Sequence, residues 1–162
     1  MKKTLLSIIT MAALASSTVY AQPVNKDIPV TAEINGLITM KKANGDDLRE
    51  IALDYDNIKN DGTYVYSQNI KIVSNTGSKV NINLRSPLVI ESDGRGFGGL
   101  AKEFEDTVVK LGNTELNLTA KSFTLVNNEV DRSLSISAKK PATALSGEIY
   151  TGTLELVIED EA

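Results

Sequence analysis

Residues 22–34 read Gln-Pro-Val-Asn-Lys-Asp-Ile-Pro-Val-Thr-Ala-Glu-Ile. Ile28, Val30, Ala32 and Ile34 recur in this stretch at every second position, and Val24 is in the same phase. An alternation of period two is typical of a β-strand that buries one face. The stretch therefore predicts a leading strand, and it raises the question of which surface covers its apolar side.

The residues before this stretch have the pattern of a secretory signal peptide. Met1-Lys2-Lys3 supplies a basic start, residues 5–14 are mostly apolar, and Val19-Tyr20-Ala21 fits a cleavage site. We expect residues 1–21 to be removed and the mature protein to be exported. Cleavage would leave 141 of the 162 residues and, with the loss of two lysines, change the formal net charge from −4 to −6.

Composition excludes several classes of function. An acidic chain without a basic cluster has no electrostatic reason to bind nucleic acid. The chain contains no histidine and no cysteine, which removes the usual general base, the thiolate nucleophile and the common ligands of zinc. We therefore predict no catalytic residues, no metal site and no cofactor. The length suits one hydrophobic core.

The remaining chain predicts an all-β, antiparallel sandwich formed by residues 37–162, joined to the leading strand by a flexible break at Asn35-Gly36. Short alternating segments separated by turn residues recur along its whole length. We expect strands over residues 51–55 and 116–120 and one continuous strand over 150–158. Residues 100–111 match helical spacing but contain β-branched Thr107-Val108-Val109, and a short helical turn at most is expected there.

A glycine-rich segment needs separate consideration. Gly94, Gly96 and Gly99 satisfy the G-x-G-x-x-G spacing of dinucleotide-binding loops. Such a loop needs a long helix after it and a parallel strand behind it, and neither is predicted here. We interpret the segment as a surface loop.

Four segments resemble the major pilins of the colonisation-factor-antigen type, which are the alpha class of chaperone/usher fimbriae. The first is Lys26 to Ile34, which is similar to the Lys-Asx-Ile-Thr-Val-Thr-Ala that follows the signal peptide in that family. The others are, in order, residues 44–55, residues 118–123, and residues 134–138 with 147–157. The last of these is similar to the closing strands of the family, which carry a Gly-x-Tyr-x-Gly motif. Two residues depart from the family pattern: Pro29 replaces a threonine, and Gly36 replaces a proline often found at that position.

The resemblance implies an immunoglobulin-like sandwich that lacks its last strand and carries an N-terminal donor strand. Residues 22–36 would be the donor strand and hinge, and residues 37–162 the incomplete domain. A periplasmic chaperone would fill the open groove first, and the donor strand of the next subunit would replace it at the outer-membrane usher. The implied product is a homopolymer, a surface fimbria that carries a tip adhesin.

The resemblance also assigns residues to the strand-binding site. The donor side chains are Val24, Ile28, Val30, Ala32 and Ile34. The acceptor-groove candidates are Tyr150, Leu154, Leu156 and Ile158. The alternative from a different class is a monomeric exported β-sandwich that binds a small ligand or a glycan.

Overall fold

The structure, a computed structural model, describes Pro29, Ala32 and residues 36–94 and 100–161. The chain divides into two units, Met1–Glu33 and Ile34–Ala162. In the first unit only Pro29 and Ala32 are described, and both are exposed. The predicted donor residues Val24, Ile28, Val30 and Ile34, the leader and glycines 96 and 99 lie outside the described residues.

The second unit consists of short antiparallel strands, and its described residues contain no helix, hence none long and apolar enough to cross a membrane. The strands are β1 (Ile38–Lys42), β2 (Asp54–Tyr55), β3 (Thr63–Ser74), β4 (Lys79–Leu84), β5 (Glu91–Ser92), β6 (Glu105–Leu111), β7 (Thr114–Leu116), β8 (Lys121–Thr124), β9 (Glu129–Lys139), β10 (Tyr150–Thr151) and β11 (Leu156–Asp160).

The strands form two main antiparallel sheets and a two-stranded ribbon. The larger sheet has the order β1-β3-β9-β6-β7, with β2 paired to the start of β3. The smaller sheet has the order β11-β4-β8, and β5 pairs with β10 in the ribbon. The predicted all-β antiparallel sandwich is confirmed.

The core lies between the two main sheets. Alternate residues of β3 and β4 are buried, as the period-two pattern predicted, because successive side chains of a strand point to opposite faces. The largest fully buried apolar side chains come from both sheets: Ile70, Ile72, Val80, Ile82, Leu111 and Leu134.

Turn residues define the ends of the longest strand, β3. Asp61 precedes it and accepts hydrogen bonds from the backbone N–H of Thr63 at 3.0 Å and from its hydroxyl at 2.5 Å. These bonds hold the pKa of the Asp61 carboxyl below its ordinary value. Gly62 has φ +92°, a conformation that glycine adopts without steric cost.

Four local predictions need correction. Residues 51–53 are not a strand, and only Asp54–Tyr55 pairs with β3. Residues 117–120 form a loop, in which Leu118 is exposed. The segment 150–158 is broken at 152–155, because β10 pairs with β5 whereas β11 pairs with β4. Residues 105–111 are strand β6 rather than a helical turn, as their β-branched residues favoured.

Candidate functional site

An open groove of about 1120 Å³ runs along one side of the second unit. One wall is formed by Met40 of β1 and by residues 48–53, which connect β1 to β2. The other wall is the segment from Tyr150 to Leu156. The floor between them consists of core side chains: Tyr64, Leu88, Ile90, Phe104 and Ile136. The floor is therefore apolar, whereas Arg49, Glu50, Lys140 and Thr153 add polar groups to the lining.

The structure places three of the four predicted groove residues in this lining. Tyr150, Leu154 and Leu156 line the groove, whereas Ile158 packs against the core without lining it. The opposite wall was missed: Met40, Leu48 and Ile51 come from a part of the chain for which we predicted only strands. The alternation of Ile51 and Leu53 was the available signal for burial, and it was assigned to the wrong element.

Both walls of the groove end in an unpaired strand edge. Within the described residues, β1 is the edge of the larger sheet and β11 is the edge of the smaller one. The backbone carbonyl of Glu155 accepts a hydrogen bond from the N–H of Arg85 at 2.9 Å. The backbone N–H of Glu161 donates to the carbonyl of Lys79 at 3.1 Å. Since N–H and C=O groups alternate in direction along a strand, the backbone of Leu156 and Ile158 points away from β4, toward the groove.

The edge of β1 has the same property. The backbone carbonyl of Leu37 accepts a hydrogen bond from the backbone N–H of Asn75 at 3.2 Å. The N–H of Ala43 donates to the backbone carbonyl of Asn69 at 2.9 Å. By the same alternation, the backbone of Met40 points away from β3. Two unpaired strand edges thus border a channel with an apolar floor, which is the arrangement that accepts an added strand.

Beyond Met40 and Leu156, at one end of the groove, lies a group of residues that we call the root end: Gly36, Leu37, residues 75–78 and Asp160. Asp160 accepts hydrogen bonds from the hydroxyls of Ser74, at 2.6 Å, and of Thr76. The Ser74 bond is the main cause that lowers the pKa of the Asp160 carboxyl. A Cβ added to Gly36 would lie 3.8 Å from Asp160 Oδ2, so the start of β1 lies next to the end of β11.

The other end, which we call the mouth end, comprises Gly62 and residues 140–149, and Lys140 donates its N–H to Gly62 at 2.9 Å. An ion pair joins Lys102 to Glu148, whose side chains are only 16% and 6% exposed. Lys102 Nζ also donates to the carbonyl of Thr143 at 2.8 Å, and the N–H of Leu145 donates to Glu148 Oε2 at 2.8 Å. These bonds fix the loop over the end of the groove.

The same carboxylate positions a groove side chain. The hydroxyl of Tyr150 donates to Glu148 Oε2 at 2.8 Å. Burial, followed by this hydrogen bond, raises the pKa of Tyr150 to about 12. The hydrogen bond from Lys102 is the main cause that lowers the pKa of Glu148. Tyr150 is therefore neutral and Glu148 ionised at neutral pH.

Aromatic side chains form a row beneath the groove. Edge-to-face contacts join Tyr55 to Tyr64, Tyr64 to Phe104 and Phe104 to Tyr150, with ring centroids 5.5, 5.4 and 5.0 Å apart. This geometry is favourable for aromatic pairs. The row packs Tyr150, in one wall, against the floor residues Phe104 and Tyr64.

The backbone also comes close to itself at one point in the groove wall. A Cβ placed on Gly152 would lie 2.2 Å from the carbonyl oxygen of Val89 and 3.3 Å from the Cα of Ile90. Only glycine fits at this position. The close approach brings the Tyr150–Leu154 wall against the floor residues Leu88 and Ile90.

The groove can hold an extended apolar segment. The span from Tyr150 to Ile158 is at most about 26 Å, because residues 152–155 lie outside the two strands. A seven-residue strand, the length of the stretch from Ile28 to Ile34, is shorter than this limit, whereas the stretch from Val24 to Ile34 would be about 33 Å long when extended. The side chains of the seven-residue strand would enter the channel while its backbone bonds to the free edges.

Comparisons with known proteins agree with this geometry. Residues 24–159 match the sequence model of a family described as CS1 type fimbrial major subunit. Among solved structures, the chain is similar to the CooA pilin subunit from enterotoxigenic Escherichia coli, with 18% identity and a TM-score of 0.54. The match covers 75% of this chain and 85% of that one. A search of curated proteins found no match.

Proposed function

This chain belongs to the CS1 type fimbrial major subunit family, and on that premise we propose that it assembles by donor-strand exchange. It is a structural subunit of a pilus, and its place is in a surface fimbria. In the proposed reaction, residues 22–34 of one copy enter the groove of another. The observation that carries the proposal is a groove with an apolar floor, bordered by two strand edges that are unpaired within the described residues.

The donor side chains are those in the inward phase of the leading strand: Val24, Ile28, Val30, Ala32 and Ile34. Burying Ile28, Val30 and Ile34 at about 1.5 to 3 kcal/mol each, with smaller terms for Val24 and Ala32, contributes about 6 to 10 kcal/mol before ordering costs. Tyr150, Leu154 and Leu156 form one wall of the acceptor site, and Ile158 extends its edge. Folding of the subunit is then completed by its neighbour.

Pro29 costs one ladder hydrogen bond whichever way the strand enters. In an antiparallel pair, residues directly opposite each other share a face, so Val30 and its inward neighbours would pair with the inward residues of β11. Pro29 would then turn its backbone toward β1, and its missing N–H would leave the β11 ladder complete but remove a bond to β1. Parallel insertion would turn Pro29 toward β11 and remove a bond there instead. Pro29 by itself therefore does not decide the direction.

The position of the chain's own exit favours insertion antiparallel to β11. The extension leaves its domain at Gly36, at the root end. An antiparallel donor has Ile34 near Tyr150, so the body of the donating copy lies beyond the mouth end. Each subunit then donates from one end and accepts at the other, and such a heterologous contact propagates as an open filament.

We assign the remaining parts of the pathway by family. Residues 1–21 are the signal peptide, 22–36 the donor strand and hinge, and 37–162 the incomplete domain. A periplasmic chaperone would protect the groove before assembly, an outer-membrane usher would catalyse the exchange, and a tip adhesin would begin the fibre. The subunit itself has no enzymatic activity in this proposal.

The test is a pair of substitutions in the donor strand. Val30→Asp places a charge in an apolar groove without a partner, and we expect it to abolish fibres while the subunit still accumulates bound to the chaperone. Thr31→Asp is the matched control, since Thr31 faces outward, and it should leave the fibre yield unchanged. Electron microscopy of cells that express the assembly genes gives the readout. Equal yields from the two variants would refute the assigned phase, and a stable monomer without the chaperone would favour the ligand-binding alternative.

A further inference from the structure

We propose that exposed apolar side chains at the root end of one copy and at the mouth end of the next form a second contact between consecutive subunits. The proposal rests on the strand exchange proposed above, but it concerns the outer surface of the folded domain. It adds a fixed contact between domains to the inserted strand, and so predicts a stiff joint rather than a flexible one.

The root end exposes two large apolar residues, Leu37 and Val126, which are 60% and 70% exposed. Leu37 is bonded to the β3–β4 turn, where its N–H donates to Asn75 Oδ1 at 2.7 Å. Val126 lies on the other side of the same turn, because the neighbouring Leu125 donates its N–H to Ser78 at 2.7 Å. The two side chains therefore flank the point at which the extension leaves the domain.

The mouth end exposes a larger set. Leu145 and Ile149 lie in the loop before β10, and two exposed residues adjoin them: Leu100, which precedes β6 and lines a pocket with Ile149, and Ile58, in the turn before β3. Ile149 is 77% exposed, and it lines a small pocket of about 270 Å³ together with Leu100. Leu145 and Ile149 also line the main groove, so this surface continues directly from the acceptor groove.

The two ends are separated by the length of β3, twelve residues or about 40 Å. They cannot meet within one copy. They are brought together between copies by the short hinge, since only Asn35 and Gly36 separate the last donor residue, Ile34, from Leu37. Three residue steps span at most about 11 Å, so Leu37 of the donating copy must lie within that distance of the seated Ile34, at the mouth end of the acceptor.

The mouth end is held in shape before the partner arrives. The buried pair of Lys102 and Glu148 fixes both ends of the 143–148 loop through Thr143 and Leu145. A preformed surface loses less conformational entropy on binding than a mobile one. Exposed apolar groups placed at the only two ends that assembly joins are thus matched to a second copy of this chain rather than to an unrelated partner.

Cross-linking tests the contact directly, because the chain contains no cysteine. The double variant Leu37→Cys, Ile149→Cys, and the same variant with Leu145→Cys in place of Ile149→Cys, are assembled into fibres and treated with a short bis-maleimide. Leu37→Cys, Leu118→Cys is the matched control: Leu118 is also exposed but lies in the β7–β8 loop, outside the residues that form the two ends. The fibres are then boiled in reducing detergent and run on a gel.

We expect ladders of covalently joined subunits from at least one mouth-end pair and loss of the ladder in the Leu118 control and in each single variant. Fibres that form normally but give no ladder with either mouth-end pair would overturn the contact while leaving strand exchange intact. Equal ladders from the Leu118 control would also overturn it. An absence of fibres from the unsubstituted chain would instead refute strand exchange itself.

Discussion

Replacing Gly152 with alanine should open the wall of the groove. The added Cβ would lie 2.2 Å from the carbonyl oxygen of Val89, whereas ordinary contact begins at 3.4 Å, so the two backbones must separate by about 1.2 Å. The obstacle is main chain, which no side-chain rotation can relieve. Overpacking of this kind costs about 1 to 3 kcal/mol, and a rigid obstacle places the cost toward the upper end, at about 2 to 3 kcal/mol.

That cost converts into a measurable shift. The unfolding entropy of about 140 residues is about 0.3 kcal/mol per kelvin, so Tm should fall by about 7 to 10 °C. The assay is thermal unfolding of a monomeric form in which residues 22–34 are repeated after Ala162 on a flexible linker, so that each molecule fills its own groove. Fibre yield should fall in parallel, because the displaced segment carries Tyr150 and Leu154.

Gly36→Ala is the matched control. Its added Cβ would meet only ordinary contacts, at 3.6 to 3.8 Å. A tolerated glycine-to-alanine change stabilises by about 0.4 to 1 kcal/mol through the unfolded state. If Gly152→Ala unfolds at the same temperature as Gly36→Ala, the close approach of Gly152 to Val89 is not a constraint on this fold.

Three further results are expected from the same monomeric form. Leu134→Ala, at a fully buried site, should lower the unfolding free energy by about 2 to 5 kcal/mol in denaturant titration, and a loss below 1 kcal/mol would contradict the assigned core. The folded pKa of Glu148 is lowered from its ordinary value of 4.5, so its ionised form stabilises the protein above that pH, and this stabilisation is lost as the pH falls through the folded pKa. Glu148→Gln should therefore have a lower unfolding free energy than the parent at pH 7, and the difference should shrink on acidification. A difference that does not change with pH would refute the role of the charge. Asp160→Asn should lower Tm at pH 7 by less than Gly152→Ala does, because it weakens the hydrogen bonds from Ser74 and Thr76 without a steric clash. An unchanged Tm would show that these hydrogen bonds do not hold β11 in place.

The sequence could predict the elements whose burial is periodic. Alternation in β3, β4 and β9 is local information, because each strand's own side chains report which face is buried. The same signal placed Tyr150, Leu154 and Leu156 on one face, and the family resemblance assigned that face to the groove. It misplaced strand ends, as in residues 51–53 and 117–120, because an apolar residue at alternate positions can be buried or exposed without any ladder being formed.

The opposite wall could not be predicted. Met40 and Leu48 approach Tyr150 and Leu156 only because β1 and β11 are edges of different sheets. Nothing in the local sequence of either segment records that pairing. Gly152 illustrates the same limit, since its requirement for glycine comes from Val89, a residue more than sixty positions earlier in the chain.

By itself the sequence determined that the chain is an all-β domain, because burial of alternate side chains is encoded residue by residue, and it predicted a leading strand whose apolar face needs a cover. Only the tertiary structure decided that the domain has an open groove between two free edges, with the chain's own exit at one end and a loop fixed by the Lys102–Glu148 pair at the other. The physical reason is that a free edge is a property of how sheets are ordered in space, and that order depends on contacts between residues far apart in the chain.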